Sequence, residues 1–195
     1  MIIKIKRQAA PNAAPYYSIA EYSGDGSISV ADWLSAANAD IFSADRIAWD
    51  CACLERRCGA CAMRINGRPA LACAVLLRDA VRGGETVIEP LGKFPVIKDL
   101  AVDRSAMFAP SADRGVTAPN GKLKFSSALC LMCGCCLDIC PVYSAGGKFP
   151  GAAGIVHKYL TGTLSLADLS PCLSCFACMR ACPQGIPIRD IFDTV

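Results

Sequence analysis

Histidine is nearly missing from this chain of 195 residues: there is one, His157, beside two tryptophans and an aromatic content of 7%. A single imidazole rules out a Cys₂His₂ zinc site, and no Ser/His/Asp arrangement can be assembled around it. Paired carboxylates, a Gly-rich nucleotide loop and a flavin fingerprint are absent as well, so the chain offers no site for substrate chemistry of its own. Long apolar runs are also lacking. The two longest, residues 70–77 and 128–137, fall far short of the ~20 residues of a membrane span, which predicts a soluble or peripheral protein. The N-terminal stretch Met1-Ile-Ile-Lys-Ile-Lys-Arg7 interleaves charge with apolar residues and has no h-region, so it does not read as a signal peptide. Net charge is only +3 and the basic residues are scattered, which argues against nucleic acid as a partner.

Cysteine is what the chain has in excess, with fourteen. Twelve of them fall into three strings. Cys130-x2-Cys133-x2-Cys136-x3-Cys140-Pro141 recurs as Cys172-x2-Cys175-x2-Cys178-x3-Cys182-Pro183. This is the bacterial two-cluster ferredoxin spacing, in which the fourth cysteine of each run ligates the other run's cluster. One cubane should therefore take Cys130, Cys133, Cys136 and Cys182, and the other Cys172, Cys175, Cys178 and Cys140. The third string, Cys53-x4-Cys58-x2-Cys61-x11-Cys73, has plant-type spacing for a [2Fe–2S] cluster. Repeated C-x2-C steps suit metal cages better than disulfide pairs, and runs of four cysteines with one histidine suit iron–sulfur better than zinc. Three clusters and little else make a chain built to move single electrons.

The length suggests one or two domains, and the separation of the strings favours two. The expected fold class is α+β: a β-grasp plant-type ferredoxin domain over residues 1–96, then an α-helical two-cluster ferredoxin domain over 97–195. A Pro/Gly-containing stretch without apolar periodicity, residues 109–121, reads as the linker. Each half is small, so its core alone gives modest stability and the clusters should act as cross-links. In the first half, residues 2–7 and 16–22 predict a hairpin. Gly24-Asp25-Gly26 marks a turn, and Ser29-x-x-Asp32 an N-cap opening a short helix. Asn66-Gly67 predicts a second hairpin between residues 62–65 and 68–73, and residues 85–91 a closing strand. Residues 97–108 read as helical. In the second half the cysteine runs should form tight turns followed by short helices. A Gly/Pro-rich loop over 146–154 should enter a helix at 155–160, and 188–195 should close the chain as a short helix.

Beside the strings, Gly59 can adopt φ > 0 and bring an amide near a cluster sulfur. Cys51 and Cys135 break the spacing and read as non-ligands, Cys51 as a buried thiol. Arg56 and Arg57 lie inside the first ligand loop, either solvated or facing an acidic partner. Pro141 and Pro183 should stop the local helix after each crossing cysteine. Tyr143, Phe149 and Phe176 read as core shielding the clusters. His157 reads as a helix-surface residue, the alternative being a proton-transfer or quinone-contacting group.

The order of the strings resembles the iron–sulfur subunit of succinate dehydrogenase and fumarate reductase. Cys58-Gly-Ala-Cys61-Ala-Met-Arg-Ile-Asn-Gly67 and Pro69-Ala-Leu-Ala-Cys73 look like that family's [2Fe–2S] loop and hairpin. Leu77-Arg-Asp79, Phe94-Pro95 and Lys98-Asp-Leu-Ala-Val-Asp103 look like its interdomain link, and Cys130-Leu-Met-Cys133-Gly-Cys-Cys136 and Cys182-Pro-Gln-Gly185 like its second domain. The resemblance implies an electron-transfer subunit between an FAD-containing dicarboxylate oxidoreductase and a quinone-reactive membrane anchor or other redox partner. It further implies a peripheral location on the cytoplasmic face of the membrane. The same wire could serve a different flavoprotein, or act as a free-standing carrier. By the resemblance, the [2Fe–2S] cluster lies nearest the flavin. Three departures stand out. Cys175 adds a thiolate where the best-known members carry [3Fe–4S], which makes the distal cluster [4Fe–4S] here, with [3Fe–4S] as the alternative. The family's quinone-site serine, tryptophan and histidine correspond to Val142, Ala145 and Leu173. The stretch between Cys140 and Cys172 is compressed.

Overall fold

Strand β1 (Ile2–Arg7) buries every second side chain, with Ile3, Ile5 and Arg7 inward and Lys4 and Lys6 outward. This is the period-two pattern of a sheet with one face on a core. The computed structural model describes residues 1–40, 42–108, 115 and 117–195, which divide into two units, Met1–Asp103 and Arg104–Val195.

In the first unit β1 pairs antiparallel with β2 (Tyr16–Glu21), the predicted hairpin. Helix α1 (Val30–Ala37) follows. Its N-cap Ser29 accepts the Asp32 N–H at 3.0 Å, while the Asp32 carboxylate accepts the Ser29 N–H at 3.1 Å. This reciprocal capping box satisfies donors that a helix start leaves unpaired. Val30, Ala31, Trp33 and Leu34 form its buried stripe. Strands β3 (Ala62–Ile65) and β4 (Arg68–Leu71) form the second hairpin, turning at Asn66 and Gly67 with φ of 49° and 74°. Two successive left-handed residues make the type I′ turn that Asn-Gly favours. A short helix α2 (Leu77–Ala80) leads to β5 (Glu85–Glu89).

The sheet order is β2-β1-β5-β3-β4, with β5 parallel to β1 and antiparallel to β3. The expected closing strand is thus the central one. Its Thr86 and Ile88 are fully buried, as a strand with neighbours on both edges requires.

Residues 97–108 are not helical. They form β6 (Val96–Lys98), β7 (Ala101–Val102) and a 3-10 turn, Ser105–Phe108. Tertiary hydrogen bonds override the local pattern: Asp99 N–H reaches Gln8 O at 2.8 Å and Leu100 N–H reaches Ala48 O at 3.0 Å. Asp99 itself lies at φ 47° with its carboxylate buried. That carboxylate accepts N–H groups from Gln8 and Ala48 and sits 3.1 Å from Arg7 Nε. Removing one partner from a buried pair of this kind costs about 3–5 kcal/mol, because the other charge is left uncompensated. These ties hold residues 97–103 on the first unit, so the division falls after Asp103 rather than after residue 96.

The second unit is helical: α3 (Lys122–Ala128), α4 (Cys135–Asp138), α5 (Gly151–Leu160), α6 (Leu166–Leu169), α7 (Ala177–Ala181) and α8 (Ile188–Phe192). Helix α5 starts at Gly151, inside the expected loop, and buries Ala152, Ala153, Ile155, Val156 and Tyr159. Gly151 is required there. Its φ is +63°, and a Cβ would stand 2.3 Å from Leu137 Cδ2. Of the predicted linker 109–121, residues 109–114 and 116 lie outside the described residues. Thr117 and Ala118 donate their N–H groups to Leu160 O at 2.9 and 3.1 Å, which fastens that part to the end of α5. No helix among the described residues is long and apolar enough to cross a membrane.

Candidate metal centres

The loop carrying Cys53 and Cys58 has no regular structure, and its backbone is bent by left-handed residues: Leu54 at φ 54°, Arg56 at 62° and Gly59 at 74°. Such kinks turn successive amides toward one side. Glu55 and Arg57 donate to Cys53 Sγ at 3.3 and 3.4 Å, Arg56 to Cys73 Sγ at 3.3 Å, and Ala60 to Cys58 Sγ at 3.5 Å. The β3–β4 hairpin supplies the other two thiols. Cys61 immediately precedes β3, Cys73 lies just beyond β4, and Ala72 N–H bonds Cys61 O at 3.0 Å. Their sulfurs are 3.4 Å apart. The Glu55 and Arg57 amides bring the Cys53 thiol down to about 7, whereas burial pushes Cys61 up to about 12. Arg56 also reaches Ala74 O at 3.4 Å. Arg57 points outward, 3.8 Å from Glu55. Cys51 is exposed, not the buried thiol expected, because residues 50–52 form an open stretch ahead of the loop.

The two repeated runs fold alike. Met132 and Ser174 occupy matching positions with φ of 49° and 50°, and Gly134 and Phe176 match with 87° and 51°. Each pair of kinks precedes a short helix, α4 or α7, that carries the third cysteine of its run. Ser174 N–H donates to Cys172 Sγ at 3.4 Å. Pro141 and Pro183 lie beyond the helix ends, as read from the sequence.

Two cavities result. The first is lined by Cys130, Cys133, Cys136 and Cys182, with Cys178 on its boundary. The second is lined by Cys140, Cys172, Cys175 and Cys178. Each thus gathers three thiols of one run and the last thiol of the other. The remaining walls carry no charged side chain; Ala152, Ile188 and Cys178 border both cavities. Phe149, Phe176 and Phe192 close the second, with Phe176 and Phe192 rings 6.0 Å apart and the Arg189 guanidinium 5.8 Å from the Phe176 ring. Tyr143 is buried against Gly151, and His157 lies on the exposed side of α5.

Electrostatics follows the same sorting. Burial, then the Cys133 and Cys182 thiols, pushes Cys130 up. Burial, then Cys172, Cys140 and Cys175, pushes Cys178 up to about 11. Four thiolates in a dry cavity repel one another, so such a set calls for bound positive charge. Four sulfur donors, apolar walls and backbone N–H groups aimed at sulfur fit iron–sulfur clusters. Sequence reasoning missed two features. The left-handed positions were half-signalled by Gly134, whose partner in the repeat is Phe176. Cys135, read as a bystander, is fully buried.

A mixed sheet with one cysteine loop, followed by a helical unit with paired thiol cavities, defines a protein that carries both [2Fe–2S] and cubane clusters. Family comparison agrees: residues 2–109 match the 2Fe-2S iron-sulfur cluster binding domain and residues 126–186 the 4Fe-4S dicluster domain. The succinate dehydrogenase iron-sulfur subunit of Bacillus subtilis is 31% identical over 176 residues, 73% of this chain and 68% of the relative. The fumarate reductase iron-sulfur subunit of Wolinella succinogenes is 28% identical over 174 residues, 72% of each. A chain of the Mycobacterium smegmatis Sdh1 complex in the apo form shares the fold at TM-score 0.75 and 19% identity, covering 100% of this chain and 94% of that one. The chain belongs to the family of succinate dehydrogenase and fumarate reductase iron–sulfur subunits.

Proposed function

We propose that this chain is the electron-transfer subunit of a succinate dehydrogenase or fumarate reductase complex. The observation that carries this is the crossed sorting of eight repeated cysteines between two apolar cavities. In this reading Cys53, Cys58, Cys61 and Cys73 hold a [2Fe–2S] cluster in a β-grasp ferredoxin unit. Cys130, Cys133, Cys136 and Cys182 hold one [4Fe–4S] cluster of an α-helical ferredoxin unit, and Cys140, Cys172, Cys175 and Cys178 the second. Each group, when bound, takes up and returns one electron.

The protein's own contribution is confinement. Apolar walls at Ile155, Phe149, Phe192 and Ile188 keep water from the thiols, and amides aimed at Cys53, Cys58, Cys73 and Cys172 offset sulfur charge. With Ala152, Ile188 and Cys178 as shared borders, the two cavities are neighbours, which suits transfer between them. Among the described residues none is arranged to take a hydride or proton from a dicarboxylate, so in this reading that chemistry belongs to an FAD-containing partner. A quinone-reactive membrane anchor or other redox subunit would take the far end, with the assembly on the cytoplasmic face of the membrane.

One observation favours a second reading of that far end, in which the acceptor is not a quinone held in the usual way. Val142 and Leu173 line the second cavity, and no hydroxyl, imidazole or indole does. Anaerobic purification of the native complex tests the proposal. Recovery with an FAD protein that oxidises succinate or reduces fumarate is expected. A cluster-loaded chain recovered with a flavoprotein inactive on both dicarboxylates would overturn it in favour of another oxidoreductase.

A further inference from the structure

Arg104 lines neither thiol cavity, yet its side chain is tied to a cysteine that lines the first. It stands at the head of the 3-10 turn Ser105–Phe108, where its carbonyl accepts the Met107 N–H at 2.9 Å. From there its Nη1 donates to the carbonyl of Cys133 at 3.2 Å, across 29 positions of sequence. The backbone of the cysteine run makes that carbonyl available. Cys133 lies between two left-handed residues, Met132 at φ 49° and Gly134 at 87°. The ladder of α4 begins one residue later, where Gly134 O accepts the Leu137 and Asp138 N–H groups at 3.0 and 2.9 Å. Cys133 is buried, and a buried carbonyl left out of a ladder needs a donor from elsewhere. The guanidinium supplies it. The second run starts its ladder in the same way, with Phe176 O accepting the Met179 N–H at 3.1 Å. Its matching residue, Cys175, is exposed instead. The duplication is thus broken at this carbonyl, which belongs to a buried residue bonded to a cation in the first run and to an exposed residue in the second.

We propose that Arg104 is a positioning residue that holds the Cys133 carbonyl and whose charge raises the reduction potential of the cluster at Cys130, Cys133, Cys136 and Cys182. The reason is electrostatic. An arginine keeps its proton at any pH the protein meets. Reduction adds one negative charge to the cluster, so a fixed cation bonded to a ligand residue favours the reduced state over the oxidised one. Apolar cavity walls weaken that attraction less than water would. Arg104 is itself half-buried, which keeps the effect moderate. The two cubane sites become unequal without any change of ligand. The inference rests on the ligand assignment proposed above.

The test is an anaerobic redox titration followed by EPR on the cluster-loaded complex, with iron counted in every sample. Arg104→Gln keeps an N–H for the Cys133 carbonyl and removes the charge. Its cubane midpoint is expected to fall, shifting the reduced-to-oxidised ratio by about three- to tenfold at fixed potential, where tenfold is about 59 mV for one electron. The other cubane should shift less. Arg104→Lys, which keeps the charge, should hold the midpoint close to that of the unaltered protein. An unchanged midpoint in the glutamine variant overturns the inference. So does an equal fall in the glutamine and lysine variants, which would make the effect one of packing, or an equal fall at both cubanes. Loss of this cluster from the glutamine variant would make Arg104 a clamp on the loop alone, and overturns it too. A protein with no cubane at this site before any substitution would instead sink the ligand assignment.

Discussion

At the scale of single residues, the most consequential side chain is Cys175. It is exposed at the mouth of the second cavity, while Cys172, Cys178 and Cys140 are partly covered. A cubane corner iron is retained when a thiolate faces it and is easily lost when none does. With Cys175 as fourth thiolate, the cluster-loaded chain should carry about ten iron atoms, one [2Fe–2S] and two [4Fe–4S] centres. Cys175→Ser should lower this by about one atom and produce an oxidised-state [3Fe–4S] EPR signal near one spin per chain. Cys51→Ser, at an exposed thiol outside the first ligand loop, should leave the iron count unchanged. A full-strength [3Fe–4S] signal already present before substitution would show that Cys175 is not a ligand. The added thiolate also brings negative charge, which disfavours reduction and lowers the potential relative to a three-iron centre.

Among the elements, α5 has the tightest structural constraint. Its first residue, Gly151, has a left-handed backbone and no room for a Cβ beside Leu137 and Tyr143. Gly151→Ala should cost about 1–3 kcal/mol from overpacking and the strained φ together. Because Ala152 and Ala153 follow directly and line the cavities, the variant should also release iron faster on chelation. The midpoint of denaturant unfolding and the rate of iron loss check both. Elements written in local chemistry were legible beforehand: the Asn66-Gly67 hairpin, the Ser29–Asp32 capping box, and the short helices that follow the turns of the two repeated cysteine runs. Those decided by distant partners were not. Residues 97–108 have a pattern that suits a helix, yet Asp99 is claimed by Arg7, Gln8 and Ala48. Strand β5 looked terminal because it comes last of its sheet in the sequence; its parallel pairing with β1 puts it in the middle. Burial of Cys51 was misread because an apolar residue type says little in a segment that no element covers.

For the whole molecule, the division of labour is the relevant property. Each of the two units is small, and the second gathers the thiols of each cavity from runs far apart in sequence. Bound clusters would therefore tie together parts that the modest cores hold only weakly. The cluster-loaded chain alone should neither oxidise succinate nor reduce fumarate, yet should exchange electrons with small redox dyes. Dicarboxylate turnover by the isolated chain would contradict the reading. Stripping the iron should lower the thermal midpoint and broaden the transition, as circular dichroism before and after anaerobic chelation would register.

The crossing of the two runs has a consequence for how the chain is made. The first cavity takes three walls from Cys130, Cys133 and Cys136 but its fourth from Cys182, the last cysteine in the sequence. On the proposed assignment, the first run emerges early during synthesis and could not complete its four-thiol site until Cys182 followed. The second run cannot complete its own cavity without reaching back to Cys140. Neither site can close on a half-made chain. On the proposed assignment, a premature stop anywhere between the runs would leave both four-thiol sites incomplete.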